Sequence, residues 1–233
     1  MGTLNFNPII VALDVETGAQ ALHLVDQLET SVDFYKVGLE LYAAEGTAIV
    51  KELLARKKRV FLDLKFHDIP ETVKRAVSRA ADLGVHLLTV HAYPQVMAAA
   101  VAGKADSPLQ LLGVTVLTSI GESDLPDLGY PVGTTIGELV RQRVKQGIAV
   151  GIDGFVCSPL EAGAVRNLTG PGKILVTPGV RSAGKDAGDQ KRIATPAQAI
   201  ADGATYLVIG RQITRAVDPK AEALAILSEI STA

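Results

Sequence analysis

Asp63, Lys65 and Asp68 stand close together in the segment Val60-Phe61-Leu62-Asp63-Leu64-Lys65-Phe66-His67-Asp68-Ile69-Pro70, where the first two interrupt an apolar run. A charged group is costly to bury without a partner. On a strand, a spacing of two sends both side chains to the same face. Two further charges sit in similar places: Asp14 closes the apolar run 9–14, and Lys36 nearly closes the run 32–37. Lys36, Asp63, Lys65 and Asp68 therefore form a set of alternating sign. Such a set, with ammonium and carboxylate groups side by side, suits acid–base or electrostatic chemistry. A self-satisfying ion-pair network is the alternative for any one pair, but three successive strands ending in charge favour a site.

A second group of residues suits an anion. Thr177-Pro178-Gly179-Val180-Arg181 and Ile209-Gly210-Arg211 each follow a short apolar run. Gly210 lets backbone N–H groups approach an anion closely, and the guanidinium of Arg181 or Arg211 can grip one in two places. A phosphate group fits these donors.

The elements that must position these residues follow from the pattern of apolar runs. Strands are expected at 9–14, 32–37, 60–66, 86–92, 111–117, 154–157, 174–177 and 206–209. Helices are expected at 18–28, 44–56, 71–83, 94–102, 136–148, 160–168, 196–201 and about 213–230. The strands are continuous apolar runs rather than alternators, as expected of a parallel sheet covered on both faces. Eight such units in 233 residues predict an α/β fold, a (β/α)8 barrel of typically ~250 residues, as a single domain over 1–233. A doubly wound sheet is the rival. The first strand–helix turn, Asp14-Val15-Glu16-Thr17-Gly18, lacks the glycine cradle of dinucleotide binders. In a barrel the charged strand ends lie at the carboxyl mouth, and phosphate sites are commonly built after strands seven and eight. The long polar connections 119–133 and 179–195 are expected to act as lids over that mouth.

Composition excludes several classes. With 23 basic and 25 acidic residues, a net charge of −2 and no basic stripe, a nucleic-acid partner has no electrostatic support. The lone Cys157 excludes an internal disulfide framework and fits a reducing compartment. Residues 1–8 lack a signal-peptide pattern, and no apolar run approaches the ~20 residues of a membrane span. A soluble cytoplasmic protein is expected. His23, His67, His86 and His91 lack the spacing of a zinc motif, so no metal is expected. His67 is read as a loop support, His91 as either a pocket residue or a hydrogen-bonded strand residue, Cys157 as an inert buried thiol, and 56–59 as a solvated turn.

Together these segments resemble the orotidine 5'-phosphate decarboxylase family in its bacterial form. Asp63-x-Lys65-x-x-Asp68 matches the family signature. Ala12-Leu13-Asp14, Lys36-Val37-Gly38, Val114-Thr115-Val116-Leu117-Thr118, Thr177-Pro178-Gly179-Val180-Arg181 and Gly210-Arg211 follow in the family's order, over about residues 9–215. One departure is Glu71, where many bacterial members carry asparagine. The resemblance implies cofactor-independent conversion of a nucleoside monophosphate, orotidine 5'-phosphate, to uridine 5'-phosphate. It implies Lys65 as proton donor to C6, held by Asp63 and Asp68 in a network with Lys36. It further implies Asp14 and Lys36 at the ribose, Thr118 near the pyrimidine, and Gln190 bridging base and phosphate. Pro178, Arg181, Gly210 and Arg211 would serve the phosphate end. A homodimer is implied, with Asp68, Ile69 and Thr72 entering the neighbouring subunit's site. Magnesium-dependent sugar-phosphate lyases and decarboxylases of the same wider group are the enzyme rival, but they typically carry glutamate where this chain has Lys36. A noncatalytic phosphate-binding barrel is the other rival, and it would not require Lys65 between its aspartates.

Overall fold

A computed structural model of the protein describes residues 6–184 and 194–232. Eight parallel strands close into a barrel in sequence order: β1 (Ile9–Ala12), β2 (Phe34–Val37), β3 (Arg59–Phe66), β4 (Leu87–His91), β5 (Gln110–Val114), β6 (Gly154–Val156), β7 (Ile174–Thr177) and β8 (Tyr206–Ile209). The ring is sealed where Ile10 of β1 registers with Val208 of β8. The helices outside are α1 (Gly18–Leu28), α2 (Leu39–Glu45), α3 (Thr47–Ala55), α4 (Pro70–Leu83), α5 (Pro94–Lys104), α6 (Ile136–Ala149), α7 (Ala162–Thr169), α8 (Pro196–Ala201), α9 (Arg211–Thr214) and α10 (Pro219–Ser231). No helix among the described residues is long and apolar enough to cross a membrane.

Two helices expected as single pieces are broken. The segment 44–56 divides at Gly46, whose φ of +57° is readily reached by glycine and ends α2 before α3 begins. The segment 213–230 divides before Pro219, which starts α10 with the Asp218 carboxylate accepting from the Ala221 amide at 2.9 Å. In both, the apolar period runs on across the break, so periodicity alone does not reveal it.

Two apolar layers follow from strand parity. Outward side chains such as Ile9, Val11, Tyr35 and Val60 pack under the helices in the larger core. The inward layer is small: Ile10, Ala12, Phe34, Phe61, Leu87, Leu112, Val176 and Val208. Below it the amino end is plugged by Arg59, whose guanidinium lies 4.3 Å from the Phe34 ring centre and pairs with Asp33 at 3.0 Å. Two residues further along β1 to β4, the inward positions above the apolar layer become Asp14, Lys36, Asp63 and Thr89. The sequence thus changes from oil to charge within one step of the pleat, at the carboxyl mouth.

Candidate active site

A cavity of about 560 Å³ opens at that mouth, within the range of small-molecule sites. Asp14, Lys36, Asp63 and Lys65 line it, together with Thr118 and with Pro178, Arg181, Gly210 and Arg211. The two groups singled out from sequence therefore share one space.

The charged side is a connected chain. Lys36 Nζ donates to Asp14 Oδ1 at 2.7 Å and lies 3.7 Å from Asp63 Oδ2. Asp63 Oδ1 accepts from Lys65 Nζ at 2.9 Å. Burial by itself would raise the Asp63 carboxyl, but the Lys36 and Lys65 ammoniums, with hydrogen bonds from Lys65 and Thr89, hold it below the ordinary carboxylate range. Asp63 is therefore ionised at neutral pH. The stability it contributes is present above the ordinary aspartate range and is lost as pH falls through its depressed value.

Lys65 reaches Asp63 by a route that alternation does not describe. Leu62 registers with Leu88 and Phe66 with Val90, so 63–65 of β3 stand opposite Thr89 alone. The strand bulges there, and Lys65 takes φ +50°, a conformation that costs a side-chain-bearing residue free energy. Asp63 and Lys65 do meet, but through the bulge rather than through regular pleating.

Asp68 is the member that a single chain does not bring to the cluster. Its carboxylate accepts from the Ile69 amide at 2.6 Å, and Asp14 takes the fourth place in the connected set. Ile69 is 68% exposed, and the Thr72 amide bonds back to the Ile69 carbonyl at 3.0 Å. None of the three lines the cavity of its own chain. Gln190 lies outside the described residues.

Arg181 is held by the stem of the connection after β7. Val180 bridges Ala194, and the Arg181 amide donates to the Ala194 carbonyl at 3.0 Å. Arg181 is 9% exposed and donates from Nη1 to the Val180 carbonyl at 2.7 Å. Gln212 of α9 ties this stem to α10, accepting from the Ser182 amide at 3.1 Å and donating to Glu222 at 2.9 Å. The connection 119–133 is a packed wall: Leu125 is buried, and Arg143 donates to the Tyr130 hydroxyl at 2.6 Å and to the Thr115 carbonyl.

His67 stacks on Tyr93 at 4.7 Å. His91 lines a smaller neighbouring cavity with Tyr93 and Arg143 rather than the main one. Cys157 is buried in the cavity wall. Among the described residues no group of three or more His, Cys, Asp or Glu side chains is placed to hold a metal ion.

Burial depresses His91, reinforced by His67, Lys65 and Arg143 and opposed by Asp63; burial, with Arg59, likewise depresses His86. Below about pH 6.5 the unfolded chain takes up protons that these folded histidines refuse, so stability declines as pH falls through that value. Melting temperature is expected to drop between about pH 7 and about pH 5.5, and to drop less in His91→Asn. An equal drop in both proteins would show that His91 carries no share.

Sequence reasoning missed Thr89 and Arg215, and gave Gly38 no role beyond its place in Lys36-Val37-Gly38. Thr89 has the parity of Leu87, which was a usable signal. Gly38 stands beside the Lys36–Asp14 pair, and Arg215 lines the cavity one turn after Arg211.

A closed barrel with an alternating carboxylate–ammonium chain at its carboxyl mouth and arginines after β7 and β8 defines a (β/α)8-barrel enzyme class. Residues 7–226 match the family described as Orotidine 5'-phosphate decarboxylase / HUMPS family. The chain is 52% identical over 225 residues to an orotidine 5'-phosphate decarboxylase of Rhodopseudomonas palustris (strain BisB5), covering 97% of this chain and 95% of that one. The decarboxylase of Afipia carboxidovorans is also 52% identical over the same shares. The crystal structure of orotidine 5'-phosphate decarboxylase from Lactobacillus acidophilus superposes with a TM-score of 0.84 at 36% identity, covering 97% of this chain and 99% of that one. The chain belongs to the orotidine 5'-phosphate decarboxylase / HUMPS family.

Proposed function

We propose that this chain is a single-domain, cytoplasmic, homodimeric enzyme that decarboxylates orotidine 5'-phosphate to uridine 5'-phosphate in pyrimidine nucleotide synthesis without a cofactor. The observation that carries this reading is the linked Asp14–Lys36–Asp63–Lys65 chain on the cavity wall. It favours the decarboxylase branch because Lys36 fills the second-strand position with an ammonium already paired to Asp14, which repels a cation.

The C6–carboxylate bond breaks, carbon dioxide leaves, and its electron pair stays on C6 in the plane of the ring, where π delocalisation cannot spread it. Lys65 Nζ donates a proton to C6 and is reprotonated from solvent. Its ammonium, held by Asp63, stabilises the developing charge through fixed electrostatics. Asp14 and Lys36 bind the ribose hydroxyls and Thr118 lies by the pyrimidine. Pro178, Arg181, Gly210 and Arg211 hold the phosphate, with Gln190 joining base and phosphate. Phosphate binding far from C6 helps to assemble the site, since enzymes lower such barriers by ~8–23 kcal/mol and one lysine cannot supply that alone. Asp68, Ile69 and Thr72 complete the partner's site. The exposure of Ile69 and the absence of all three residues from their own cavity support this. The buried single thiol supports a reducing compartment.

A Cβ at Gly38 would lie 2.8 Å from Lys36 Nζ and 2.9 Å from Asp14 Oδ1. The φ of Gly38 is −95°, open to any residue, so Gly38→Ala is expected to fold normally and displace that pair. KM should rise roughly tenfold at unchanged melting temperature. Steady-state kinetics giving a wild-type KM would contradict the ribose role.

The reading as a whole is tested by following the absorbance of orotidine 5'-phosphate with purified protein and identifying the product by chromatography. Uridine 5'-phosphate and one equivalent of carbon dioxide are expected; an unchanged substrate overturns the proposal.

A further inference from the structure

Thr89 of β4 is a polar residue with no exposed surface, and its hydroxyl sits where β3 leaves its ladder. It accepts from the Lys65 amide at 2.9 Å and donates to Asp63 Oδ1 at 2.9 Å. That same carboxylate oxygen accepts from Lys65 Nζ, also at 2.9 Å. One hydroxyl therefore grips Lys65 twice, directly at its backbone and indirectly through its counter-ion.

The bulge explains why such a grip is needed. Residues 63–65 stand opposite Thr89 alone, so the Lys65 amide lacks the main-chain acceptor that a regular ladder would offer. Lys65 also holds φ +50°, a conformation that persists in a side-chain-bearing residue only where its surroundings enforce it. A buried amide without an acceptor is costly, and the Thr89 oxygen supplies one. Its proton is thereby committed to Asp63 and fixes the rotation of that carboxylate. Thr89 does not line the cavity, so it meets no substrate and acts only through Asp63 and Lys65.

We infer that Thr89 is a positioning residue for the decarboxylation, its hydroxyl locking the left-handed Lys65 and the Asp63 carboxylate so that the ammonium is aimed into the cavity. This rests on the reading of Lys65 as the proton donor. Valine matches threonine in shape but carries no hydroxyl, whereas serine keeps the hydroxyl and loses the methyl group. In Thr89→Val kcat is expected to fall by between about tenfold and about a hundredfold, as a displaced catalytic group requires. KM should stay within about twofold of wild type, because phosphate and ribose contacts lie elsewhere. Thr89→Ser should recover kcat to within about threefold of wild type.

The experiment measures kcat, KM and melting temperature of wild type, Thr89→Val, Thr89→Ala and Thr89→Ser with orotidine 5'-phosphate. A kcat loss in the valine and alanine variants that serine restores supports the inference. Wild-type kcat in Thr89→Val, a loss confined to KM, or a serine variant as slow as valine overturns it. Should both the valine and alanine variants fail to fold, the hydroxyl is a determinant of the fold and the inference falls. An inert wild type defeats the decarboxylase reading itself and takes the inference with it, an outcome distinct from an active wild type with indifferent variants.

Discussion

Lys65→Ala is expected to slow decarboxylation by at least about 10⁴-fold while weakening nucleotide binding far less. Two effects vanish together. The general acid is worth about 10²–10⁴-fold and a fixed charge at a developing anion about 10²–10³-fold. The loss also leaves Asp63 with Lys36 at 3.7 Å as its remaining ammonium, so a less compensated carboxylate would face the departing carboxylate group of the substrate. On the proposed reading, nucleotide affinity comes largely from Arg181 and Arg211, which line the same cavity. The Lys65 side chain is partly exposed and contributes little packing, so any fall in melting temperature comes from the less compensated Asp63 carboxylate. Single-turnover kinetics, with uridine 5'-phosphate binding by calorimetry, separate the two quantities. A rate within about tenfold of wild type would remove Lys65 from the mechanism.

The second large effect concerns a residue outside its own cavity. Asp68→Ala is expected to lose at least about 10³-fold in kcat/KM, although Asp68 lies at an exposed bend with its carboxylate accepting from the Ile69 amide of its own chain. If it serves the partner's site, two inactive variants must complement each other. A mixed dimer of Lys65→Ala and Asp68→Ala holds one site with both residues intact and one with neither. Random reassociation of equal amounts makes about half the dimers mixed, so about a quarter of wild-type activity should return. Unfolding and refolding the variants together, then assaying, checks this. Activity that stays at the level of the separate variants would place Asp68 in a structural role.

Much of this arrangement was legible because a barrel strand is covered on both faces and so reads as an unbroken apolar run. The strands at 174–177 and 206–209 are read to the residue, and every charged strand end lines the mouth where barrels carry their chemistry. What escaped the sequence is local backbone geometry. Nothing in Asp63-Leu64-Lys65 announces a bulge, because the departure from the pleat is set by pairing with β4 rather than by the residues themselves. Alternation thus brought Asp63 and Lys65 together on an incomplete argument. Asp68 was placed with them by nearness in sequence, yet the turn before Pro70 carries it away. Thr89 carries little signal of its own, because threonine is ordinary in a strand. Only its inward parity, above Leu87 and level with the charges, marks it. Gly46 broke a helix whose apolar period continues on either side.

The most direct test is the wild-type reaction in heavy water with excess EDTA, followed by proton NMR at C6 of the pyrimidine. Stoichiometric uridine 5'-phosphate carrying deuterium at C6, at a rate unaffected by the chelator, is the predicted result. It would show bond cleavage followed by delivery of an exchangeable proton with no metal required. Failure to consume orotidine 5'-phosphate, or turnover that EDTA abolishes and magnesium restores, would contradict the account.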